Sequence, residues 1–78
     1  MIINIKLSNG KTISIKCSDN ILILDLINQI CKEEMDLPNI ILEFSGQKLD
    51  DTKILFYYKI EGNSLLILIM KYIKNLSN

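Results

Sequence analysis

The stretch that decides the fold is YYKIEGNSLLILIM, residues 57–70, in which a Gly-Asn turn leads into the longest apolar run of the chain. Residues 64–70 have the composition of a strand, and alternation along that strand turns Leu66 and Leu68 inward. A strand of this kind can lie beside a strand from the start of the chain. We therefore expect the first and last strands to pair in parallel.

The start of the chain predicts a hairpin that would supply the parallel partner. Residues 2–7 and 12–17 each alternate as a strand, and Asn9-Gly10 between them is a strong hairpin signal because both residues tolerate a positive φ angle. The residues expected on the inward face are Ile3, Ile5, Ile13, Ile15 and Cys17. A register slip of one residue would turn Lys16 inward, so the alternation fixes the pairing.

A helix is predicted after the hairpin. The Ser-Asp-Asn cluster at residues 18–20 can accept hydrogen bonds from the free N–H groups of a helix that begins near Ile21 or Leu22. The helix should end around Glu34 or Met35, before a proline that cannot continue it. One helical face is formed by Ile23, Leu26, Ile27 and Ile30, and two further leucines, Leu22 and Leu24, lie off that face.

The remaining elements complete a mixed sheet. Residues 40–44 are predicted as a third strand, a short fourth strand follows near Lys48–Leu49, and a 3₁₀ turn is expected around Leu55–Tyr57. The order is two strands, one helix, two strands, a turn and a last strand. We therefore predict the α+β class and a β-grasp architecture, in which a mixed sheet of four to five strands packs on one α-helix.

Composition argues against several functional classes. The 78 residues carry nine basic and nine acidic side chains, and this zero net charge argues against electrostatic binding to nucleic acid or to anionic membranes. There is no histidine, and the two cysteines, Cys17 and Cys31, cannot complete a zinc site. We expect both thiols to act as small apolar side chains. No catalytic pair, metal or other cofactor is therefore predicted.

The sequence shows no targeting or membrane segment. The first residues reach polar side chains too early for a signal peptide. The longest apolar run, from Leu65 to Met70, is far shorter than the roughly 18 residues that span a membrane. Two cysteines without a disulfide framework fit a reducing compartment. We expect a monomeric protein in the cytoplasm, the nucleus or both.

Four fragments, taken in order, resemble the ubiquitin family. They are Met1, KTISI at residues 11–15, FSGQKLDD at residues 44–51 and YYKIEGNSLLILIM at residues 57–70. Each fragment alone is weak, but their order and spacing are specific. The resemblance runs from Met1 to about Lys71. Around residues 35–40 the chain has one residue fewer than the family pattern. It implies a ubiquitin-like domain over residues 1–73 and a flexible tail at residues 74–78.

The tail departs from the family pattern. Family members that are joined to other proteins end in two glycines, because an activating enzyme threads a slim, flexible tail into a narrow channel. Lys74 and Asn75 stand at the positions of those glycines, and no glycine follows Gly62. The departure implies that this chain is not conjugated through its C-terminus. The alternative that the tail is a linker stub of a longer protein stays open.

The resemblance also implies a protein-binding patch on the sheet face turned away from the helix. The residues at or beside the matching positions are Ser8, Glu43, Gln47, Ile67 and Ile69, with Ile2 and Ile41 also facing outward and Lys6 and Lys71 at the edges. Ser8 and Glu43 depart from the apolar pattern. A partner that covered Glu43 with apolar surface would have to desolvate a carboxylate, unless a cation paired with it. The alternative is that isoleucine occurs here only because it favours strands and because the whole chain is rich in isoleucine.

Three functions follow from these features. The first is a non-conjugated recognition module for partner proteins, which the resemblance assigns to the ubiquitin–proteasome pathway. The second is a covalent modifier, a divergent ubiquitin or a cullin-modifying relative, whose true C-terminus differs from this chain. The third is an enzyme or cofactor carrier. Other β-grasp proteins carry sulfur on a terminal glycine or an iron–sulfur cluster on four cysteines, and this chain has neither feature. The sequence favours the first.

Overall fold

The computed structural model describes residues 1–33 and 40–70, with five strands, one α-helix and one 3₁₀-helix in that part of the chain. Their bounds are β1 Ile2–Lys6, β2 Thr12–Lys16, α1 Ile23–Glu33, β3 Ile40–Phe44, β4 Gln47–Lys48, the 3₁₀-helix Leu55–Tyr58 and β5 Leu65–Met70. The predicted helix end near Glu34 or Met35 and the predicted tail at residues 74–78 lie outside the described residues.

The five strands form one mixed sheet in the order β2-β1-β5-β3-β4. β1 pairs antiparallel with β2 and parallel with β5, and β5 pairs antiparallel with β3. In the parallel pair, the Cα partner of Ile5 is Leu66. The predicted α+β class, the β-grasp architecture and the parallel pairing of the first and last strands are therefore confirmed.

The core lies between the sheet and α1, and in the described part of the chain its buried side chains are all apolar. They are Ile3, Ile5, Leu7, Ile15, Ile23, Leu26, Ile30, Leu42, Leu49, Leu55, Ile60, Leu66 and Leu68. On β5 the alternation is sharp, because Leu66 is fully buried while Leu65 is 47% exposed. Ile13, Cys17 and Ile27, also predicted to face inward, are partly buried against this core.

The N-terminus of α1 is satisfied by backbone carbonyls rather than by capping side chains. Leu22 is the N-cap residue, since its carbonyl accepts the first helical bond, from the N–H of Leu26 at 3.0 Å. The first two N–H groups of α1 donate to carbonyls within residues 51–53, at 2.8 and 3.1 Å. Ser18 instead accepts a hydrogen bond from the N–H of Asn20 at 3.1 Å, within its own turn. The helix therefore begins later than the capping residues predicted.

β3 and β4 are joined by a two-residue turn, Ser45-Gly46, whose φ angles are 52° and 79°. Positive φ at both central residues is the signature of a type I′ turn, whose twist matches that of the hairpin strands. The turn fixes the register, so that Glu43 pairs with Lys48. β4 therefore begins at Gln47, one residue earlier than the sequence predicted.

Replacing Gly46 with alanine is expected to lower the free energy of unfolding by about 1–2 kcal/mol. An added Cβ would meet no atom within 4 Å, so the loss comes from the positive φ angle alone. Gly62→Ala is the matched control, because its added Cβ would lie 3.6 Å from the Cβ of Met1, an ordinary contact, at a φ outside the left-handed region. Thermal unfolding measures both variants. If the two variants lost equal free energy of unfolding, the positive φ angle of Gly46 would not be the cause of its loss.

Candidate functional site

The face of the sheet turned away from α1, which we call the outer face, is where the sequence predicted a protein-binding patch. On each strand its residues alternate with the buried ones, and strand pairing places them in rows. The outer-face residues are Ile2, Asn4, Lys6, Thr12, Ser14, Lys16, Ile41, Glu43, Lys48, Leu65, Ile67 and Ile69. None of these side chains is buried.

One row of the outer face runs from Thr12 on β2 to Lys48 on β4, crosses all five strands and combines charge with apolar surface. Ile67 on β5 pairs with Lys6 on β1 and with Glu43 on β3. Glu43 in turn pairs with Lys48 on β4. Side chains at directly paired positions are neighbours, with Cβ atoms about 4.5–5.5 Å apart in an antiparallel pair. Ile67, which is 43% exposed, therefore lies between a cation and an anion.

Two more isoleucines lie beside this row. Ile41 on β3 pairs with Ile69 on β5, and both side chains are partly exposed. We call Ile41, Ile67 and Ile69 the outer apolar strip. A contiguous exposed apolar area of this kind commonly marks an interaction site. The structure thus brings together five of the predicted site residues, these three with Glu43 and Lys6.

The side of the outer face formed by β1 and β2 is polar. The hydroxyl of Ser14 donates to Oδ1 of Asn4 at 2.7 Å, and Nδ2 of Asn4 donates to the carbonyl of Asn63 at 3.5 Å. Ile2 is exposed, as expected, but it pairs with Lys16 in a row that contains no residue of the outer apolar strip. The apolar part of the face is therefore concentrated on β3 and β5.

The remaining predicted residues lie at the margins or outside the described chain. Ser8 is exposed in the turn between β1 and β2. Gln47 is exposed on β4, but it pairs with Phe44, which packs against the core, so it does not share a face with Glu43. Lys71 lies outside the described residues.

Lys48 is the site residue that sequence reasoning missed. It is exposed and lies directly opposite Glu43 across the β3–β4 hairpin. The signal was present, because a two-residue turn at Ser45-Gly46 sets this register. An opposite-charge pair at such positions stabilises a sheet by about 0.2–1 kcal/mol.

Two ionisable groups near the sheet have shifted pKa values. The carboxylate of Asp50 accepts hydrogen bonds from the backbone N–H of Thr52 at 2.9 Å and from its hydroxyl at 2.8 Å, and these bonds hold the pKa of Asp50 below its ordinary value. Partial burial raises the pKa of the Cys17 thiol, against a smaller opposing effect of the N-terminal ammonium. At neutral pH Cys17 is therefore protonated, which fits its predicted role as a small apolar side chain.

Within residues 1–33 and 40–70, no group of three or more His, Cys, Asp or Glu residues is placed to hold a metal ion. Across the same ranges, no helix has the length and apolar character needed to cross a membrane. Cys17 and Cys31 are both half-buried and are not joined in a disulfide. The chemistry that the outer face offers is apolar contact combined with ion pairing.

A five-stranded mixed sheet in this order, packed on a single helix, defines a β-grasp domain of the ubiquitin-like type. The model of the family described as "Ubiquitin family" matches residues 3–72. Since the match covers nearly the whole chain, the protein belongs to the ubiquitin family. No curated protein matches the chain. Domains of this family are typically non-catalytic and generally bind proteins.

Proposed function

We propose that the chain is a non-covalent recognition module that docks proteins of the ubiquitin–proteasome pathway on its outer face. The observation that carries the proposal is the row in which Ile67 lies between Lys6 and Glu43, with two more isoleucines of the outer apolar strip beside it. Ile67 is exposed on a central strand, where the core does not require an apolar side chain. A partner that covers it removes this apolar area from water.

The proposed mechanism combines apolar contact with ion pairing. Covering the outer apolar strip stabilises the complex by about 25 cal/mol per Å² of apolar surface. Glu43 accepts a Lys or Arg of the partner, while Lys6 and Lys48 meet its carboxylates. A partner without that cation must desolvate Glu43 without compensation. Glu43 therefore selects between partners as well as binding them.

We assign Ser8 to the rim of this site and leave Gln47 out of it, because Gln47 lies on the opposite face of β4 from Glu43. Lys71, outside the described residues, stays an edge residue on the sequence-based prediction alone. Exposed polar side chains at a rim change association rates and salt dependence more than they change affinity. The module acts as a monomer in the cytoplasm, the nucleus or both, and it needs no cofactor.

A denaturing immunoblot of source cells, probed with an antibody to this domain, separates recognition from covalent modification. A recognition module gives a single discrete band, at the mass of the domain or of one larger protein that contains it. A ladder of larger bands that collapses on ATP depletion, or on treatment with a deconjugating enzyme, would contradict the proposal. That ladder would instead support a covalent modifier, which would also form an ATP-dependent thioester with an activating enzyme.

A further inference from the structure

A second exposed apolar surface lies where α1 begins. It consists of Leu22, Leu24, Phe56 and Tyr57, and we call it the helix-start surface. Phe56 and Tyr57, at 61% and 60%, are the most exposed large apolar side chains in the described part of the chain. None of the four belongs to the five-stranded sheet. This surface is therefore distinct from the outer apolar strip.

Backbone hydrogen bonds hold the two segments of this surface, residues 19–24 and 51–57, side by side. Leu22 and Ile54 form an isolated antiparallel bridge. The N–H of Phe56 donates to a carbonyl at the start of the first segment at 2.9 Å. Because both segments are fixed by these bonds, their exposed side chains form a preformed surface rather than two independent loops.

Burial indicates that the core does not need these side chains. Ile23 and Leu55, which alternate with them along the two segments, are fully buried and supply the core contacts. Leu22 is 39% exposed at the N-cap of α1, where carbonyls of residues 51–53 already accept the first helical N–H groups. Neither the core nor the helix end therefore requires an apolar side chain at this position, which leaves the Leu22 side chain for a contact outside the fold.

The rim of the helix-start surface is acidic. Asp19 and Asp51 lie in its two segments, Asp25 lies in the first turn of α1, and all three are exposed. The one lysine of these segments, Lys53, has its Nζ 4.9 Å from the centroid of the Tyr57 ring. Glu61 and Lys59 lie near Phe56 as well, so four carboxylates stand against two ammonium groups. This excess of negative charge favours the approach of cations.

Phe56 also borders an open cleft of about 440 Å³. Met1 supplies a further apolar wall, and Asp19, Glu61 and Lys59 supply charged groups at the edge. An apolar wall with charged groups at its edge suits an apolar anchor side chain that is flanked by charged residues.

We propose that the helix-start surface docks a second protein, through a segment in which apolar side chains are interspersed with Lys or Arg. The apolar side chains of that segment cover Leu24 and Phe56, and its cations meet the carboxylates of Asp19, Asp25 and Asp51. Since the two surfaces share no residue, one chain can hold two proteins together. This bridging role goes beyond docking on the outer face and does not depend on it.

The test is a selection from a phage-displayed library of random peptides. Peptides are selected on the immobilised domain and counter-selected on a Leu24→Ser/Phe56→Ser double variant. Both replaced side chains are exposed, so the double variant is expected to fold, and circular dichroism checks this. The expected peptides carry apolar residues and an excess of Lys and Arg. A synthetic copy binds the wild type at least about 10-fold more tightly than it binds the double variant.

Ile67→Ser is the matched control, because it removes an apolar side chain of similar exposure from the other surface. It is expected to bind the selected peptide as tightly as the wild type. Enrichment of acidic peptides, failure to obtain any peptide that depends on Leu24 and Phe56, or loss of binding in Ile67→Ser would overturn the proposal. A dimer in sedimentation velocity that the double variant abolishes would also overturn it, by assigning the surface to a second copy of the chain.

Discussion

Truncation of Leu66 to alanine is expected to lower the free energy of unfolding by about 2–5 kcal/mol. Leu66 is fully buried on β5, at the centre of the sheet, where it pairs with Ile5. Its removal leaves a cavity in the core between the sheet and α1, and the surrounding side chains fill that cavity only in part. Because small domains have a total stability of about 5–15 kcal/mol, the loss is a large share of it.

Thermal unfolding followed by circular dichroism measures this loss as a fall in Tm of roughly 10 °C or more. Leu65→Ala is the matched control, because it removes the same atoms one position away on the exposed side of β5. It should change the free energy of unfolding by less than about 1 kcal/mol. Equal losses in the two variants would contradict the burial pattern on which the outer face is defined.

Replacement of Glu43 with lysine is expected to weaken partner binding about 30-fold or more, which corresponds to about 2 kcal/mol or more. Glu43 pairs with Ile67 on one side and Lys48 on the other. The new ammonium would oppose the Lys or Arg that the proposed mechanism places at this position. It would also lie beside Lys48 and add to the positive charge there. The row from Lys6 to Lys48 would then contain no carboxylate.

Isothermal titration calorimetry, with a partner protein that binds the outer face, measures this loss of affinity at low and high salt. The loss should be larger at low salt, because screening weakens the new repulsion. Glu61→Lys is the matched control, since it reverses an exposed acidic charge away from the outer apolar strip. It should leave affinity within about twofold. Unchanged binding in Glu43→Lys would remove Glu43 from the site.

The strands and their inward faces were predictable from the sequence because a half-buried strand repeats every two residues. Leu66 and Leu68 are buried and Ile67 is exposed, as the alternation on the last strand predicted. The order of elements then left few arrangements that cover one face of a sheet with one helix. Burial patterning and short connections therefore account for most of this fold.

The start of α1 could not be predicted from local capping rules. Its first N–H groups are met by carbonyls of residues 51–53, far along the chain, so Leu22 can occupy the N-cap without a capping side chain. The residues that favoured an earlier start, 18–20, form a turn of their own. Hydrogen bonds to residues far along the chain, rather than local capping side chains, therefore determine where α1 begins.

The candidate site was predictable only in part. The isoleucines of the outer apolar strip and Glu43 came from alternation and from the family resemblance. Lys48 was missed because Gln47 was taken from the family resemblance without a pairing register for β4, and the two-residue turn at Ser45-Gly46 places Lys48 opposite Glu43 instead. The helix-start surface arises from two segments that meet only in the folded chain, so neither segment predicts it alone.

A photo-crosslinking side chain placed at Ile67, in cells that produce the protein, tests docking on the outer face most directly. We expect a few discrete products that contain proteins of the ubiquitin–proteasome pathway and that are lost in the Glu43→Lys variant. Lys16, which is exposed on the edge strand β2 of the same face, is the control position and should give none. No product from Ile67 in a folded domain, or equal products from Lys16, would contradict recognition through the outer apolar strip.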